Sequence, residues 1–351
     1  MIREAGRGME NESRNRTAGQ ENPCKKETEG PVVLEAYRLH KRYCRGGGKT
    51  VEAVNGLSIQ IRAGECRGIV GESGCGKSTL IRMLAGLEKP DSGEIRCHGK
   101  PLIHQVRTNR NKIQMIFQNS MDAVNRYADA EAIIGEPLKN FFHQNPAQRA
   151  RNAAVLMEQV GLSAEDLHKF PGQFSGGQLQ RICNARALAA QPEILLLDEP
   201  LSSLDVSVQA QIMELFKRLG REYGLTQVLV SHDMEAVYYL SDSISVMYGG
   251  MLMEEIHRIQ LFEKLCHPYI RRLLDACRGG EGQAERKWVC DEGRMLEEKA
   301  FRGKKKAERN KLSAGCPYAH LCPAADSVCR SQLPAWREIE KGHYVRCSKI
   351  F

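Results

Sequence analysis

One short stretch limits what this chain can be. Gly71-Glu72-Ser73-Gly74-Cys75-Gly76-Lys77-Ser78-Thr79 follows the apolar run Gly68-Ile69-Val70 and leads into Leu80-Ile81-Arg82-Met83-Leu84. The order is strand, glycine-rich loop, helix, with the G-x-x-x-x-G-K-S spacing of a phosphate-binding loop. Glycines there let successive backbone N–H groups turn inward around phosphate oxygens. The helix behind the loop adds the positive end of its dipole. Lys77 has the reach and charge to meet β- and γ-phosphates, and the Ser78 hydroxyl is a ligand for Mg²⁺. The expectation is a nucleotide site on an α/β scaffold.

The second acidic element comes later. Ile194-Leu195-Leu196-Leu197 is a wholly apolar run ended by Asp198-Glu199. Such a run suits a central parallel strand buried on both faces. A carboxylate at Asp198 can hold the Mg²⁺ that Ser78 also binds. Glu199, at the strand's mouth, can act as general base toward an attacking water. A further turn, Ser175-Gly176-Gly177-Gln178, stands before a helix and offers a second anion-binding N-terminus. One nucleotide needs one such loop, so the second turn is expected to serve a nucleotide held by another subunit.

Around these motifs the chain divides. Residues 1 to 31 are polar and charged, without the apolar core of a secretory leader. They read as a disordered tail. Residues 32 to 277 carry the nucleotide motifs. Val51–Val54 and Leu57–Ile61 alternate as two half-buried strands of an antiparallel front. Val155, Leu156 and Val160 suggest an apolar stripe on a helix. Ile244–Tyr248 and Met251–Glu254 suggest a hairpin around Gly249-Gly250. Residues 278 to 312 form a charged linker, and residues 313 to 351 a small Cys-rich module. Thirteen cysteines without a leader argue for a reducing compartment. The net charge of +8 is a mild excess that asks for no nucleic acid. No stretch is apolar over the length of a membrane span.

Taken together, the motifs resemble those of the ATP-binding subunits of ABC transporters. Gly71 to Thr79 matches Walker A, and Ile194 to Glu199 matches Walker B. Phe174-Ser175-Gly176-Gly177-Gln178 matches the signature motif, with Phe in place of Leu. Ser202-Ser203-Leu204-Asp205 matches the D-loop, Gln118 the Q-loop glutamine and His232 the switch histidine. The resemblance implies a P-loop NTPase domain with an antiparallel β subdomain and a helical subdomain. It also implies a head-to-tail dimer, homomeric or heteromeric. ATP would lie between one subunit's P-loop and the other's Ser175–Gln178 turn and Asp205. Glu199 would be the general base, and His232 would meet the γ-phosphate. Gln118 would sense Mg²⁺ or the attacking water, and Tyr43 would stack on adenine. Partners would be two multispanning permease subunits and, indirectly, an extracytoplasmic substrate-binding protein. The place of work would be the cytoplasmic face of the membrane. A non-transporting regulatory cassette is the alternative.

Two stretches resemble the dipeptide, oligopeptide and nickel importer group. Phe117-Gln118-Asn119-Ser120-Met121-Asp122-Ala123-Val124-Asn125 is like its Q-loop, with Arg126 where proline is usual. Its Ala-Val-Asn form leans toward the nickel members. Cys266-His267-Pro268-Tyr269, followed by Arg271-Arg272-Leu273-Leu274, is like the segment that closes the group's ATPase domain. The tail resembles the group too, through Cys316, Cys322, Cys329 and Cys347 and the Gly342-His343 step. Some members are reported to hold an iron–sulfur cluster there. Four thiolates suit [4Fe–4S] or Zn²⁺, and a module this small gains from a metal staple. Free packing thiols are the other possibility.

Overall fold

The computed structural model describes residues 30–45, 49–102, 110–202, 204–277 and 314–350. The polar tail up to residue 29 and the charged linker lie outside the described residues. Two sheets form the framework. The front sheet has the order β2-β1-β4-β5, with β1 (Val32–Arg45), β2 (Lys49–Arg62), β4 (Ser92–Cys97) and β5 (Lys100–Pro101) antiparallel throughout. The two front strands expected from residue 51 to 61 are one strand. A register shift between Leu39↔Leu57 and His40↔Asn55 absorbs the break in alternation that divided them in the sequence.

The main sheet has the order β11-β12-β10-β9-β3-β8-β7-β6. Its parallel centre consists of β3 (Cys66–Val70), β6 (Ile113–Ile116), β7 (Ile194–Asp198), β8 (Thr226–Ser231) and β9 (Ser243–Tyr248). Every residue of β3, β7, β8 and β9 is buried, as strands covered on both faces require. Side-chain alternation divides the core. Ile194 and Leu196 face the layer formed with the front sheet and α1 (Lys77–Leu84), whereas Leu195 and Leu197 face the opposite layer.

That opposite layer carries the helices. α2 (Ala130–Phe142), α3 (Pro146–Gln159) and α4 (Gly176–Ala189) form the helical part. α5 (Val206–Tyr223) and α6 (Met234–Leu240) pack along the parallel strands. On α5, Ile212, Leu215 and Phe216 face inward as their spacing predicts. The stripe expected on α3 is shifted. Val155 is 48% exposed, and the buried residues are Ala153, Met157 and Val160. Positions i, i+4 and i+7 share a helix face, and Val155 falls on nearly the opposite side.

The tail does not stand apart. β9 turns through Gly249-Gly250 into β10 (Met251–Ile256), which pairs with β12 (His343–Val345), which in turn pairs with β11 (Arg337–Glu340). Cys316, Tyr318, Ala319 and Cys329 join the main core. A buried carboxylate fastens the junction. Glu254 Oε1 accepts hydrogen bonds from Cys266 N at 2.8 Å and from His343 Nε2 at 2.7 Å; Glu254 Oε2 accepts from His267 N at 2.9 Å. Its residue is fully buried, so these donors replace the water it lost. The remaining helices are α7 (Pro268–Cys277) and the short α8 (Ser327–Ser331). Among the described residues no helix is long and apolar enough to cross a membrane.

Candidate functional site

The nucleotide motifs meet at the carboxyl ends of four adjacent strands. In the sheet, β3, β8, β7 and β6 are neighbours in that order. Loops leaving such ends on one side build a shared crevice. The P-loop leaves β3. Gly76 has φ of 108°, and a Cβ there would lie 2.0 Å from the Ala53 carbonyl oxygen, so only glycine fits. Lys77 begins α1 and is 4% exposed. Its Nζ donates to the carbonyl oxygens of Gly71 at 2.6 Å and Glu72 at 3.0 Å. Ser73, Gly74 and Cys75 complete the loop, with Cys75 N donating to Glu72 O at 3.2 Å.

Ser78 Oγ donates to Asp198 Oδ1 at 3.1 Å. The hydroxyl and the carboxylate expected to share Mg²⁺ are therefore adjacent. Burial raises the Asp198 pKa; Ser78's hydrogen bond and the Arg82 charge oppose that rise. A divalent cation there would be a strong reason for the carboxyl to ionise.

Glu199 follows with φ of 49°, ahead of Pro200. A left-handed backbone costs about 1–2 kcal/mol in a residue with a Cβ. Glu199 N donates to Val230 O at 2.9 Å and pins the turn to β8. The side chain then meets both neighbouring strand ends. Gln118 Nε2, beyond β6, donates to Glu199 Oε2 at 2.9 Å. His232 Nδ1, beyond β8, lies 3.4 Å from the same oxygen. So the structure brings Lys77, Ser78, Asp198, Gln118, Glu199 and His232 to one mouth.

Tyr43, on β1, lies at the flank of this mouth. Its hydroxyl donates to Glu88 Oε1 at 2.5 Å and stands 3.4 Å from Thr79 Oγ1, while Lys41 Nζ sits 5.8 Å from the ring centroid. The Ser175–Gln178 turn is placed differently. Ser175 caps α4: its Oγ accepts from Gln178 N at 3.2 Å, and Gln178 Oε1 accepts from Ser175 N at 2.9 Å. These bonds close on each other, and Ser175 and Gly176 face solvent, with Gly177 partly exposed. Asp205 caps α5, accepting from Val208 N at 3.0 Å and from Ser207 Oγ at 2.8 Å. Those hydrogen bonds lower its pKa. Ser203 of the same loop lies outside the described residues.

Cys316, Cys322, Cys329 and Cys347 line one small cavity together with His267 and Tyr318. Burial pushes the Cys316 thiol up to about 11 and the Cys322 thiol up to about 12, and neighbouring thiols of the same cavity add to both shifts. Among the described residues, Glu254, Cys266 and His343 form the one trio of potential ligands with atoms within 4.8 Å of one another. The hydrogen bonds that join this trio already account for it as the tail's fastening.

A residue that the motifs did not mark as part of the site is Tyr269. Its hydroxyl accepts the Glu72 N–H at 2.6 Å. The sequence holds no local signal for this contact, which spans the chain from P-loop to α7.

A phosphate loop and two acids at the mouth of a parallel sheet, with an antiparallel front and a helical lobe, define an ATP-binding cassette ATPase. The sequence profile described as "ABC transporter" matches residues 54–202. The chain is 40% identical over 90% of its length to the "Putative oligopeptide transport ATP-binding protein YkfD" of Bacillus subtilis, covering 94% of that protein. It is 38% identical over 86% of its length to the Haemophilus influenzae "Oligopeptide transport ATP-binding protein OppF", covering 90% of it. It is 40% identical over 86% to the Escherichia coli "Probable D,D-dipeptide transport ATP-binding protein DdpF", covering 92%. Among solved structures, the ATP-binding cassette MJ0796 in a dimeric post-hydrolysis state with ADP and Pi has a TM-score of 0.59 at 29% identity. It covers 64% of this chain and 97% of its own. The cbiO1 protein of Clostridium perfringens, part of the cbiONQ transporter complex, gives 0.57 at 25% identity, covering 70% of this chain and 95% of its own. The chain belongs to the ABC transporter ATP-binding subunits, in the group of oligopeptide and dipeptide transport proteins. It is an ATPase.

Proposed function

We propose that this chain is one of a head-to-tail pair of ATPase subunits that drive peptide import through two multispanning membrane subunits. One observation carries the reading. Lys77, Ser78, Asp198, Gln118, Glu199 and His232 converge on a single mouth, while the Ser175-Gly176-Gly177-Gln178 turn presents a self-capped helix N-terminus to solvent. A phosphate-grade turn exposed to solvent suits the nucleotide of a second subunit. The pairing partner is a second copy or a homologous chain. The relative solved as a dimer supports the arrangement. The names of the relatives favour peptides over nickel as cargo, and transport over a regulatory role.

In this reading the loop from Gly71 to Thr79 cradles the phosphates and Tyr43 stacks on adenine. Lys77 Nζ, steered by the carbonyls of Gly71 and Glu72, turns a further N–H to phosphate oxygens. Ser78, Asp198 and Gln118 would hold Mg²⁺, which supplies neutralising charge to the transferring phosphoryl group. Glu199 takes the proton of the attacking water. Gln118 orients that carboxylate, and His232, 3.4 Å from it, would contact the γ-phosphate. Asp205 and the Ser175–Gln178 turn complete the partner's site.

Beside Gln118 runs a groove lined by Leu87, Met115, Phe117, Pro137, Phe141 and Arg186. A cytoplasmic segment of a permease subunit seated there would press on the loop that carries Gln118. The chain would then work at the cytoplasmic face of the membrane, with a substrate-binding protein delivering peptide on the far side. Glu199→Gln keeps the shape and removes the base. Its ATP turnover should fall about 10²–10⁴-fold, with an ATP-bound dimer persisting on size exclusion. Wild-type turnover in that variant would remove Glu199 from the mechanism.

We infer that the four tail thiols hold a [4Fe–4S] cluster, with zinc as the alternative. Sulfurs around one zinc ion stand about 3.8 Å apart, given Zn–S of about 2.3 Å. The thiols of this cavity form no trio within 4.8 Å among the described residues. A cubane with four cysteine ligands spreads its sulfurs wider. Protein purified without oxygen should contain iron and absorb in the visible, and Cys322→Ser should lose both. One zinc per chain and no iron would overturn the assignment.

A further inference from the structure

The peptide unit between Gly71 and Glu72 is gripped on both edges. Its carbonyl oxygen accepts from Lys77 Nζ at 2.6 Å, and its N–H donates to the Tyr269 hydroxyl at 2.6 Å. A trans peptide points these two groups in opposite directions in one rigid plane. The Tyr269 hydroxyl thereby fixes the direction of the carbonyl that holds the Lys77 ammonium. The next carbonyl, Glu72 O, accepts from Cys75 N at 3.2 Å and from Lys77 Nζ at 3.0 Å. The entry to the phosphate loop is thus tied to α7 at one point.

What holds Tyr269 comes partly from the tail. Its side chain is 1% exposed. Its ring lies 4.7 Å from that of Tyr248 on β9 and 5.5 Å from that of Tyr318 in the cysteine segment. Tyr318 and Tyr248 meet edge-on at 5.2 Å, closing a three-ring cluster. Tyr269 N also donates to His267 Nδ1 at 3.1 Å. Both Tyr318 and His267 line the four-cysteine cavity. Direct contacts therefore run from the wall of that cavity to the phosphate loop.

We infer that Tyr269 is a positioning residue for the phosphate-binding loop, and that Tyr318 of the cysteine segment buttresses it, so that the tail sets nucleotide affinity. Tyr269 touches no reacting atom; it acts through the Gly71–Glu72 peptide and Lys77. Without the hydroxyl, the Glu72 N–H loses its acceptor or the peptide plane turns, and either change weakens the grip on ATP. The inference rests on the family's ATP binding and on the packing. It does not require the cavity to hold a metal.

Tyr269→Phe in the full-length chain keeps the ring and removes only the hydroxyl. The Kd and KM for ATP should rise about five- to twentyfold, the cost of one unmet backbone donor, with kcat at saturating ATP within twofold of wild type. Tyr318→Ala should raise Kd in the same direction. Combined with Tyr269→Phe it should add less than the product of the two effects, because the residues act in series. Tyr318→Phe keeps the ring but loses the hydroxyl's hydrogen bond with Arg272 on the same helix as Tyr269, so its Kd should lie between wild type and Tyr318→Ala. Iron content measured on each preparation reads the metal assignment separately. A Tyr269→Phe protein with wild-type Kd would overturn the positioning role, as would a loss of kcat at unchanged KM. A Tyr318→Ala protein with a lowered melting temperature and an unchanged Kd would overturn the buttress.

Discussion

Ser175→Ala separates the capping that the hydroxyl does in its own chain from the role proposed for it in a second subunit's site. Within its own chain Ser175 is a helix cap, its Oγ accepting from Gln178 N at 3.2 Å. Losing such a cap costs about 1 kcal/mol. A domain of ordinary stability, about 5–15 kcal/mol, stays folded after that loss. The melting temperature should drop about 2–4 °C. If capping were the residue's whole role, turnover per folded molecule would stay within twofold of wild type. If the hydroxyl also faces the γ-phosphate held by a second subunit, it is a donor aimed at developing charge. Removing such a donor costs about 10²–10³-fold in rate. The two outcomes differ by about two orders of magnitude, far outside the error of a phosphate-release assay run at saturating ATP beside a thermal melt. Where the chain pairs with itself, mixing Ser175→Ala with Lys77→Ala adds a second readout. Neither variant works alone, but each mixed dimer joins one intact loop to one intact turn. Random pairing should recover about a quarter of wild-type turnover from such a two-fold dimer. Near-normal turnover in Ser175→Ala, with the expected small drop in melting temperature, would refute the shared site.

Other expectations are narrower. Gly71→Ala would put a Cβ 2.2 Å from the Met247 carbonyl oxygen and 2.8 Å from Cys75 Sγ. Strand β9 cannot yield there, so a stability loss of about 1–3 kcal/mol and failed nucleotide binding should follow. Gly74→Ala meets nothing within 4 Å and has only its φ of 79° to contend with, so its cost should stay near 1–2 kcal/mol; equal effects of the two in a urea titration would contradict the packing. Burial holds His267 neutral in the fold, its pKa lowered to about 4 against the ordinary 6.5, with Glu254 opposing the shift. The unfolded chain takes up a proton below the ordinary value and the folded chain does not, so stability should be lost as pH falls from about 6.5 to about 4. His267→Asn melts followed across that range should show a flatter profile than wild type.

What the sequence disclosed was chemistry that is local. The P-loop spacing, the apolar run into Asp198 and the Ser175 cap are each complete within a few residues, so the order of residue types was enough to place them. The stripe on α3 was partly right, with Val160 buried and Leu156 packed on the core, and Val155 was misplaced for a related reason. Val155 and Leu156 are apolar, but the face is set by the neighbours α2 and α4, and those select Ala153, Met157 and Val160. The tail's pairing was hidden because its partner is distant in sequence: Val345 lies opposite Glu254. Two faint signs were present. His343, Val345 and Cys347 alternate with Tyr344 and Arg346, as one buried face of a strand does. Glu254 is also a charge on the inward face of a strand, between Leu252 and Ile256, which asks for buried partners.

The adjacent acids show most clearly what spacing alone cannot supply. Successive residues of a strand point to opposite faces, and at the end of β7 that rule is combined with a backbone reversal. Asp198 is still in the ladder, opposite Val230, and meets Ser78. Glu199 takes a left-handed φ and swings toward Gln118 and His232. Two like charges that would repel side by side are thereby directed to different partners, Asp198 to Ser78 and Glu199 to Gln118 and His232. The strain is confined to a single residue, fastened by one hydrogen bond to β8. Because His232 directly follows the last residue of β8, the strand that anchors the reversal also places the group that faces it. A shift of β8 along its axis would move both at once, so the placement of the Glu199 carboxylate is tied to the register between β7 and β8, not to any one side chain.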